Sequence, residues 1–202
     1  SVKKINNFAL VSVYDKKNIG LLCRVLKKNK IGIISTGSTS KKIKSLGFKC
    51  LNISNLAEFS EVLDGRVKTL HPKIYISLLY KRNKEAHKKT FKKINFPKID
   101  YVIVNLYPFN KFSNKSHEEA IEMIDIGGPA LLRAAAKNYE SITTVSSPSD
   151  YKVLKKNIEK NLGETDLSFR QNMAEKTFKL TFTYDQKIYS WLSKKNTQTG
   201  IK

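Results

Sequence analysis

Cysteine is scarce, long apolar runs are missing and acidic residues are few, and each shortage narrows what the chain can be. Only Cys23 and Cys50 occur among 202 residues. Two thiols set among apolar neighbours cannot make the disulfide framework of a small secreted domain, and they read as free thiols of a reducing compartment. No Cys/His cluster has metal-ligand spacing, so no metal site is expected. No window approaches eighteen consecutive apolar residues, which excludes a spanning helix of ordinary kind, and no membrane partner is expected. The opening stretch SVKKINNFALVSVYDKK places basic residues before an apolar run that is short, alternating and without a small-residue cleavage pattern. That argues against a signal peptide, and a cytoplasmic location is expected. Internal repeats and long low-complexity linkers are also missing.

Acidic residues number 17 against 38 lysines and arginines, a formal net charge of +21. Such an excess permits a nucleic-acid partner or an anionic substrate. It is equally the charge of lysines spread over solvated faces. Without an RNP-type aromatic motif, a zinc finger or an Arg-rich tract, no nucleic-acid partner is expected.

What is present is an alternation of strand and helix patterns. Phe8 to Tyr14 reads as a buried strand, and Asn18 to Asn29 carries apolar residues at 19, 21, 22, 25 and 26, one helical face. Ile31 to Ser35 is a second strand, Lys41 to Leu46 a short helix and Phe48 to Ile53 a third strand. That order implies parallel strands with right-handed crossovers. Tyr101 to Leu106 is the strongest strand, hydrophobic enough to be covered on both faces in a central position, and Pro108 ends it. Ser116 with Glu119 spells a capping box for a helix from His117 to Ile124. Pro129 is expected at the first position of the next helix, after Gly127 and Gly128. Ile142 to Val145 reads as the last strand, and Pro148 to about Trp191 as helical with a break near Gly163. The expected whole is one α/β domain over residues 1–195, a doubly wound, mostly parallel sheet with a helical C-terminal extension, followed by a tail or the start of a linker at 196–202. Ligands of such sheets bind outside the carboxyl ends of strands, here after residues 13, 35, 53, 106 and 145.

Several of these loops hold reactive side chains. Tyr14-Asp15-Lys16 follows the first strand. Thr36-Gly37-Ser38-Thr39 offers small hydroxyls and backbone N–H groups to a phosphate at a helix start, although a plain N-cap explains it as well. In Asp64-Gly65-Arg66-Val67-Lys68-Thr69-Leu70-His71-Pro72, the planar fork of Arg66 suits phosphate, and a neighbouring cation favours the neutral form of Lys68, as proton transfer requires. A solvated basic loop is the alternative. Val104, Asn105 and Tyr107 lie at the end of the strongest strand, where an amide and a phenol can meet a planar heterocycle or simply pack. Asp125, next to Ile126, precedes a Gly-Gly turn and is also a candidate helix cap. Lys137 ends the same helix, a common place for a lysine that complements the helix dipole.

Taken in order, the stretches ALVSVYDK (9–16), STGST (35–39), DGRVKTLHPK (64–73), VNLYPF (104–109), IDIGGPALLRAAAKN (124–138) and the Asp150-Tyr151 pair resemble one family. It is that of the N-terminal cyclohydrolase domain of bifunctional purine-biosynthesis enzymes, which formylate an aminoimidazole carboxamide ribotide and then close its second ring. The resemblance covers roughly residues 8 to 195. It implies a methylglyoxal-synthase-like variant of the doubly wound fold and the cyclodehydration of a formamido-imidazole-carboxamide ribotide, FAICAR, to IMP and water. It implies no metal or organic cofactor, a homodimer, and a fusion partner, a transformylase domain, that this sequence does not contain.

Carried over by resemblance, Lys68, Tyr107, Asp125 and Lys137 take the reactive roles. Lys137 would shuttle protons, Lys68 and Tyr107 would form an acid/base pair, and Asp125 would accept the carboxamide N–H. Tyr14, Asp15, Lys16, Thr36, Gly37, Ser38, Thr39, Arg66, Val67, Thr69, Val104, Asn105 and Ile126 would contact the nucleotide. Tyr14 stands where relatives often have Ser, and Ser38 where they often have Gly. One tension is internal. Asp125 and Lys137 flank one helix, whose ends lie roughly 12 Å apart at about 1.5 Å per residue. The rival readings are a regulatory module of the same fold that binds a nucleotide without turnover, a methylglyoxal synthase, whose carboxylate and histidine pattern is not seen, and an RNA-binding protein using the positive charge.

Overall fold

Alternation along Phe8–Val13, strand β1, divides the core in two. Ala9, Val11 and Val13 face one side of the sheet and Leu10 the other. The computed structural model describes residue 5, residues 7–111 and residues 113–199. It contains β1, α1 (Ile19–Lys28), β2 (Gly32–Ser35), α2 (Gly37–Ser45), β3 (Leu51–Asn52), α3 (Ile53–Ala57), α4 (Pro72–Leu79), α5 (Glu85–Lys93), β4 (Ile99–Asn105), α6 (His117–Glu122), α7 (Gly127–Lys137), β5 (Thr143–Val145), α8 (Tyr151–Lys160) and α9 (Leu167–Thr199). The five strands form one parallel sheet in the order β3-β2-β1-β4-β5.

One face of the sheet is covered by α1, α8 and the start of α9, through Leu22, Leu26, Leu154, Ile158 and Phe169. The other face packs on α4 and α7, through Ile74, Leu78, Leu131, Leu132 and Ala135. β4 sends Tyr101 and Ile103 to the first cluster and Val102 and Val104 to the second. It is therefore interior and buried on both faces, as its hydrophobic run requires, although the middle strand is β1. α9 packs along α7 and β5 and closes a third cluster with Tyr184, Trp191, Phe109 and Ala120.

Several boundaries differ from the pattern reading. α2 begins at Gly37 rather than Lys41, so the small hydroxyl residues form its first turn. β3 pairs over two residues only, at the sheet edge, and Ile53 already opens α3. The capping box at Ser116 and Glu119 is present, but α6 ends at Glu122. α7 starts at Gly127, which makes Pro129 its third residue. The position tolerates proline because the first N–H groups of a helix have no acceptor within it. α4 and α5 lie where the sequence pattern names no element. α5 buries none of its residues, so no apolar stripe marks it. Among the described residues no helix is long and apolar enough to cross a membrane.

Candidate functional site

A cavity of about 880 Å³ opens at the carboxyl ends of β1, β2 and β4. Its floor spans β1 and β4, the place where the strand order reverses direction, as expected of a doubly wound sheet. The register aligns Val13 with Asn105 and Val11 with Ser35, so β1 and β4 release their loops at one level and β2 two residues short of it. The loop at residues 63–70 and the segment at 121–128 supply the remaining walls. The exit after β5 does not contribute.

The wall from β2 is the start of α2. Thr36 is extended, and its side chain does not cap the helix, so the first N–H groups of α2 face the cavity without a partner from the helix itself. Gly37 has φ of +55°, and a Cβ there would lie 2.8 Å from Lys68 Nζ. The lysine ammonium therefore rests against a position that only glycine leaves open. Thr39 has a structural bond set. Its hydroxyl accepts from Val13 N and donates to Val13 O, both at 3.1 Å, which ties α2 to the end of β1.

Arg66 and Lys68 rise from a tight turn. Val62 and Val67 form an isolated antiparallel bridge, and Leu63, Asp64 and Gly65 between them all have positive φ. The two cations are not left to repel one another. Arg66 donates through Nε, at 3.2 Å, and through Nη2 to the carboxylate of Glu122 at the end of α6. Lys68 Nζ lies 3.5 Å from Glu61. The Arg66 hydrogen bonds hold Glu122 below the usual carboxylate range. Thr69, 7% exposed, sets its hydroxyl against Gly127 and joins this loop to α7.

The opposite wall carries Asp125. Its Oδ1 accepts from Gly128 N at 2.8 Å, so the carboxylate does cap α7, and its backbone N–H donates to Tyr184 Oη at 2.7 Å. A Cβ at Gly128 would come within 2.4 Å of Asp125 Oδ2, so the second carboxylate oxygen occupies space that glycine vacates. Burial pushes the Asp125 carboxyl above its ordinary value, partly offset by the Gly128 N–H. Tyr107 meets Tyr14 edge to face, ring centroids 3.8 Å apart. A hydrogen bond with the Tyr14 hydroxyl pushes the Tyr107 phenol up to about 12.

The cavity thus gathers Tyr14, Thr36, Gly37, Ser38, Thr39, Arg66, Val67, Lys68, Thr69, Val104, Asn105, Tyr107, Asp125 and Ile126. Three expected residues do not line it. Lys16 turns its ammonium onto the carbonyls of Val13 and Tyr14, at 3.1 and 3.3 Å. The backbone of Asp15 is clamped by the Asn105 side chain, which accepts from Asp15 N and donates to Asp15 O, both at 2.8 Å. Asn105 therefore holds the β1 exit in place with one of its amide hydrogens and one of its carbonyl lone pairs. Lys137 is exposed at the last position of α7. Because α7 returns the chain from the carboxyl end of β4 to the amino end of parallel β5, its two ends point to opposite edges of the sheet. Eleven residues at about 1.5 Å each put Lys137 some 15 Å from the cavity wall at Gly127. Three of the four reactive candidates share one space, and the fourth is left outside it.

Glu61, Glu122 and Tyr184 touch the site residues without having been expected. A loop with two cations calls for counter-charges, but their positions in sequence, five residues before Arg66 and 56 after it, carry no signal of proximity. Tyr184 lies 59 residues beyond Asp125 in a helix with no motif. Among the described residues no group of three or more His, Cys, Asp or Glu is placed to hold a metal ion.

Comparison with known proteins points the same way. The family described as an MGS-like domain matches residues 19–130, and the family described as the AICARFT/IMPCHase bienzyme matches residues 135–202. The bifunctional purine biosynthesis protein PurH of Lactobacillus acidophilus is 45% identical over 197 residues, which cover 96% of this chain and 38% of that protein. The PurH of Clostridium beijerinckii is 43% identical over 186 residues, 91% of this chain and 37% of that protein. That of Fusobacterium nucleatum is 45% identical over 188 residues, with coverages of 91% and 37%. The chain therefore spans under two fifths of the length of these curated relatives. Among solved structures, the crystal structure of ForH superposes with a TM-score of 0.81 at 30% identity, covering 93% of this chain and 99% of that one.

Proposed function

The chain belongs to the MGS-like domain family, in its PurH branch, and from that membership we propose that it is an IMP cyclohydrolase, closing FAICAR to IMP and water. The observation that carries the reading is the meeting of Lys68, Tyr107 and Asp125 in one nucleotide-sized cavity beside the start of α2. Fold alone would not license it, since one fold hosts many activities.

In the reaction the carboxamide nitrogen forms a bond to the formyl carbon. The formyl oxygen then leaves as water, with one hydrogen drawn from each of the two nitrogens. An amide nitrogen is a poor nucleophile, so positioning must supply much of the acceleration. The start of α2, with Ser38, Thr36 and the Arg66 guanidinium, anchors the ribotide phosphate, as helix N-termini and planar cations do. Asp125 Oδ2 accepts the carboxamide N–H and directs the lone pair toward the formyl carbon. Lys68, held against Gly37, places positive charge by the developing oxyanion. Tyr107, protonated through the neutral range as a phenol ordinarily is, delivers a proton to the departing oxygen. Lys137 has no step in the cavity of its own chain. A slow Lys137→Ala variant would mean that this lysine enters from a second copy.

The same membership leads us to propose a cytoplasmic homodimer whose relatives continue into a transformylase part. The test of the activity is the absorbance change of cyclisation with purified chain and FAICAR. Lys68→Ala and Tyr107→Phe should fold normally and turn over at least a hundredfold more slowly, within the usual range for loss of an acid/base group. Tight IMP binding without turnover by the unaltered chain would replace the enzyme by a regulatory module.

A further inference from the structure

We propose that Glu61 is a positioning residue for Lys68: from across the 62–67 turn its carboxylate holds the lysine ammonium against Gly37 and keeps it from pairing with Asp125. The proposal rests on the cyclohydrolase reading and adds to it a residue that does not itself line the cavity. The placement is written into the local sequence Glu61-Val62-Leu63-Asp64-Gly65-Arg66-Val67-Lys68. Asp64 and Gly65 both have positive φ, and Arg66 N donates to Leu63 O at 3.0 Å, features of the mirror-image hairpin turn that Asp-Gly favours. That turn brings Val62 and Val67 together, each N–H donating to the other's carbonyl, at 3.0 and 3.3 Å. The next residues outward are Glu61 and Lys68. Beyond a hydrogen-bonded pair, the opposed residues of an antiparallel ladder are the closely spaced kind, and their side chains leave the same face side by side. Lys68 Nζ accordingly lies 3.5 Å from Glu61 Oε2. The same oxygen lies 3.9 Å from where a Cβ on Gly65 would stand, so the carboxylate is folded over the turn.

Lys68 needs such a holder because its alternatives are wrong for the reaction. A lysine stem is flexible, and its ammonium is a point charge that pairs with whichever carboxylate it reaches. Asp64, Glu122 and Asp125 line the same cavity. Glu122 is taken up by Arg66 through two hydrogen bonds. Asp125 has one oxygen committed to Gly128 N, and the other, Oδ2, is the one assigned to the carboxamide N–H. An ammonium drawn onto Oδ2 would block that acceptor and leave the oxyanion uncompensated. Glu61 removes this choice, and Nζ rests in contact with both Glu61 Oε2 and Gly37, where an added Cβ would come within 2.8 Å of it. The two side chains are 31% and 56% exposed, so water screens the pair and its contribution to stability is small. Its effect lies in where the charge sits.

Glu61→Gln removes the charge and keeps the shape. The expected result is about a three- to thirtyfold fall in kcat, as for a catalytic group displaced by less than about an ångström, with KM changed by less than about twofold. The melting temperature should move by no more than about 4 °C. In a Lys68→Ala background the same substitution should cost nothing further, since residues that act through one another are not additive. Glu159→Gln removes the carboxylate of the exposed Lys28–Glu159 pair, makes the same change in net charge and should leave kcat unaltered. A Glu61→Gln chain with unaltered kcat overturns the proposal while leaving the cyclohydrolase reading intact. So does an equal loss with and without Lys68, or an equal loss in Glu159→Gln. A large fall in melting temperature, with normal kcat where the variant is folded, assigns Glu61 to folding and overturns it too. An unaltered chain that does not cyclise FAICAR removes that reading and the proposal together.

Discussion

Replacing Tyr184 by Phe tests whether the long C-terminal helix serves the site. Tyr184 is 6% exposed, and its ring packs with Phe109, Ala120 and Trp191, so phenylalanine preserves the shape and removes one oxygen. That oxygen is the acceptor for the Asp125 N–H at 2.7 Å. Leaving a buried N–H unpaired costs about 1–3 kcal/mol, the lower end applying where water can reach it. For a chain of this size each kcal/mol moves Tm by about 2–4 °C, so a fall of roughly 2–12 °C is expected by scanning calorimetry. The catalytic effect should be larger than stability alone explains. The Asp125 backbone would be held only through its Oδ1 bond to Gly128, and a carboxylate displaced by a fraction of an ångström loses alignment with the carboxamide. At a temperature where the variant is fully folded, kcat should be about tenfold down, equivalent to about 1.4 kcal/mol in the barrier. A Tyr184→Phe chain that melts within a degree of the unaltered one and cyclises at the same rate would refute the claim that α9 holds Asp125.

Three further outcomes follow from the same geometry. Gly37→Ala forces an L side chain into φ +55°, which costs about 1–2 kcal/mol, and sets a methyl 2.8 Å from Lys68 Nζ. The flexible ammonium must move, so kcat should drop while nucleotide binding by calorimetry persists, and full activity would contradict the assigned place of Lys68. Asp125→Asn keeps the Gly128 contact but removes a carboxylate that burial makes harder to ionise. Because its folded-state pKa is raised, the native chain loses stability as pH rises from the ordinary carboxylate value through the folded one. The variant should therefore be the more stable protein at pH 7, with the advantage vanishing in acid, even as its turnover collapses. Equal denaturation midpoints at pH 7 would show that Asp125 is solvated. Glu122→Gln frees Arg66 from a competing carboxylate, and IMP should bind more tightly at low salt. Weaker binding would mean that Glu122 orients Arg66 for the phosphate.

How much of this was legible beforehand depends on the range of the interaction. The strands β1, β2 and β4 announce themselves because burial on two faces requires runs of apolar residues, and α1 because one stripe must face the sheet. The Ser116–Glu119 capping box is a contact over three residues and is spelled out directly. β3 is shorter than the Phe48 to Ile53 pattern because an edge strand needs only brief pairing. α2 starts ahead of its legible pattern because Gly and Ser disfavour a helix locally, although here they form its first turn.

By itself the amino-acid order determined the doubly wound sheet, the carboxyl ends at which a ligand must sit, and the families of side chain gathered there. Those follow from periodicity and from motifs held within a few residues of one another. Only the tertiary structure decided which of them act together. It joined Arg66 to Glu122 and Asp125 to Tyr184 across 56 and 59 residues, gave the Asn105 amide to the Asp15 backbone, and paired Tyr14 with Tyr107. It also carried Lys137 to the far edge of the sheet, because a helix that crosses between parallel strands must begin at one end of them and finish at the other.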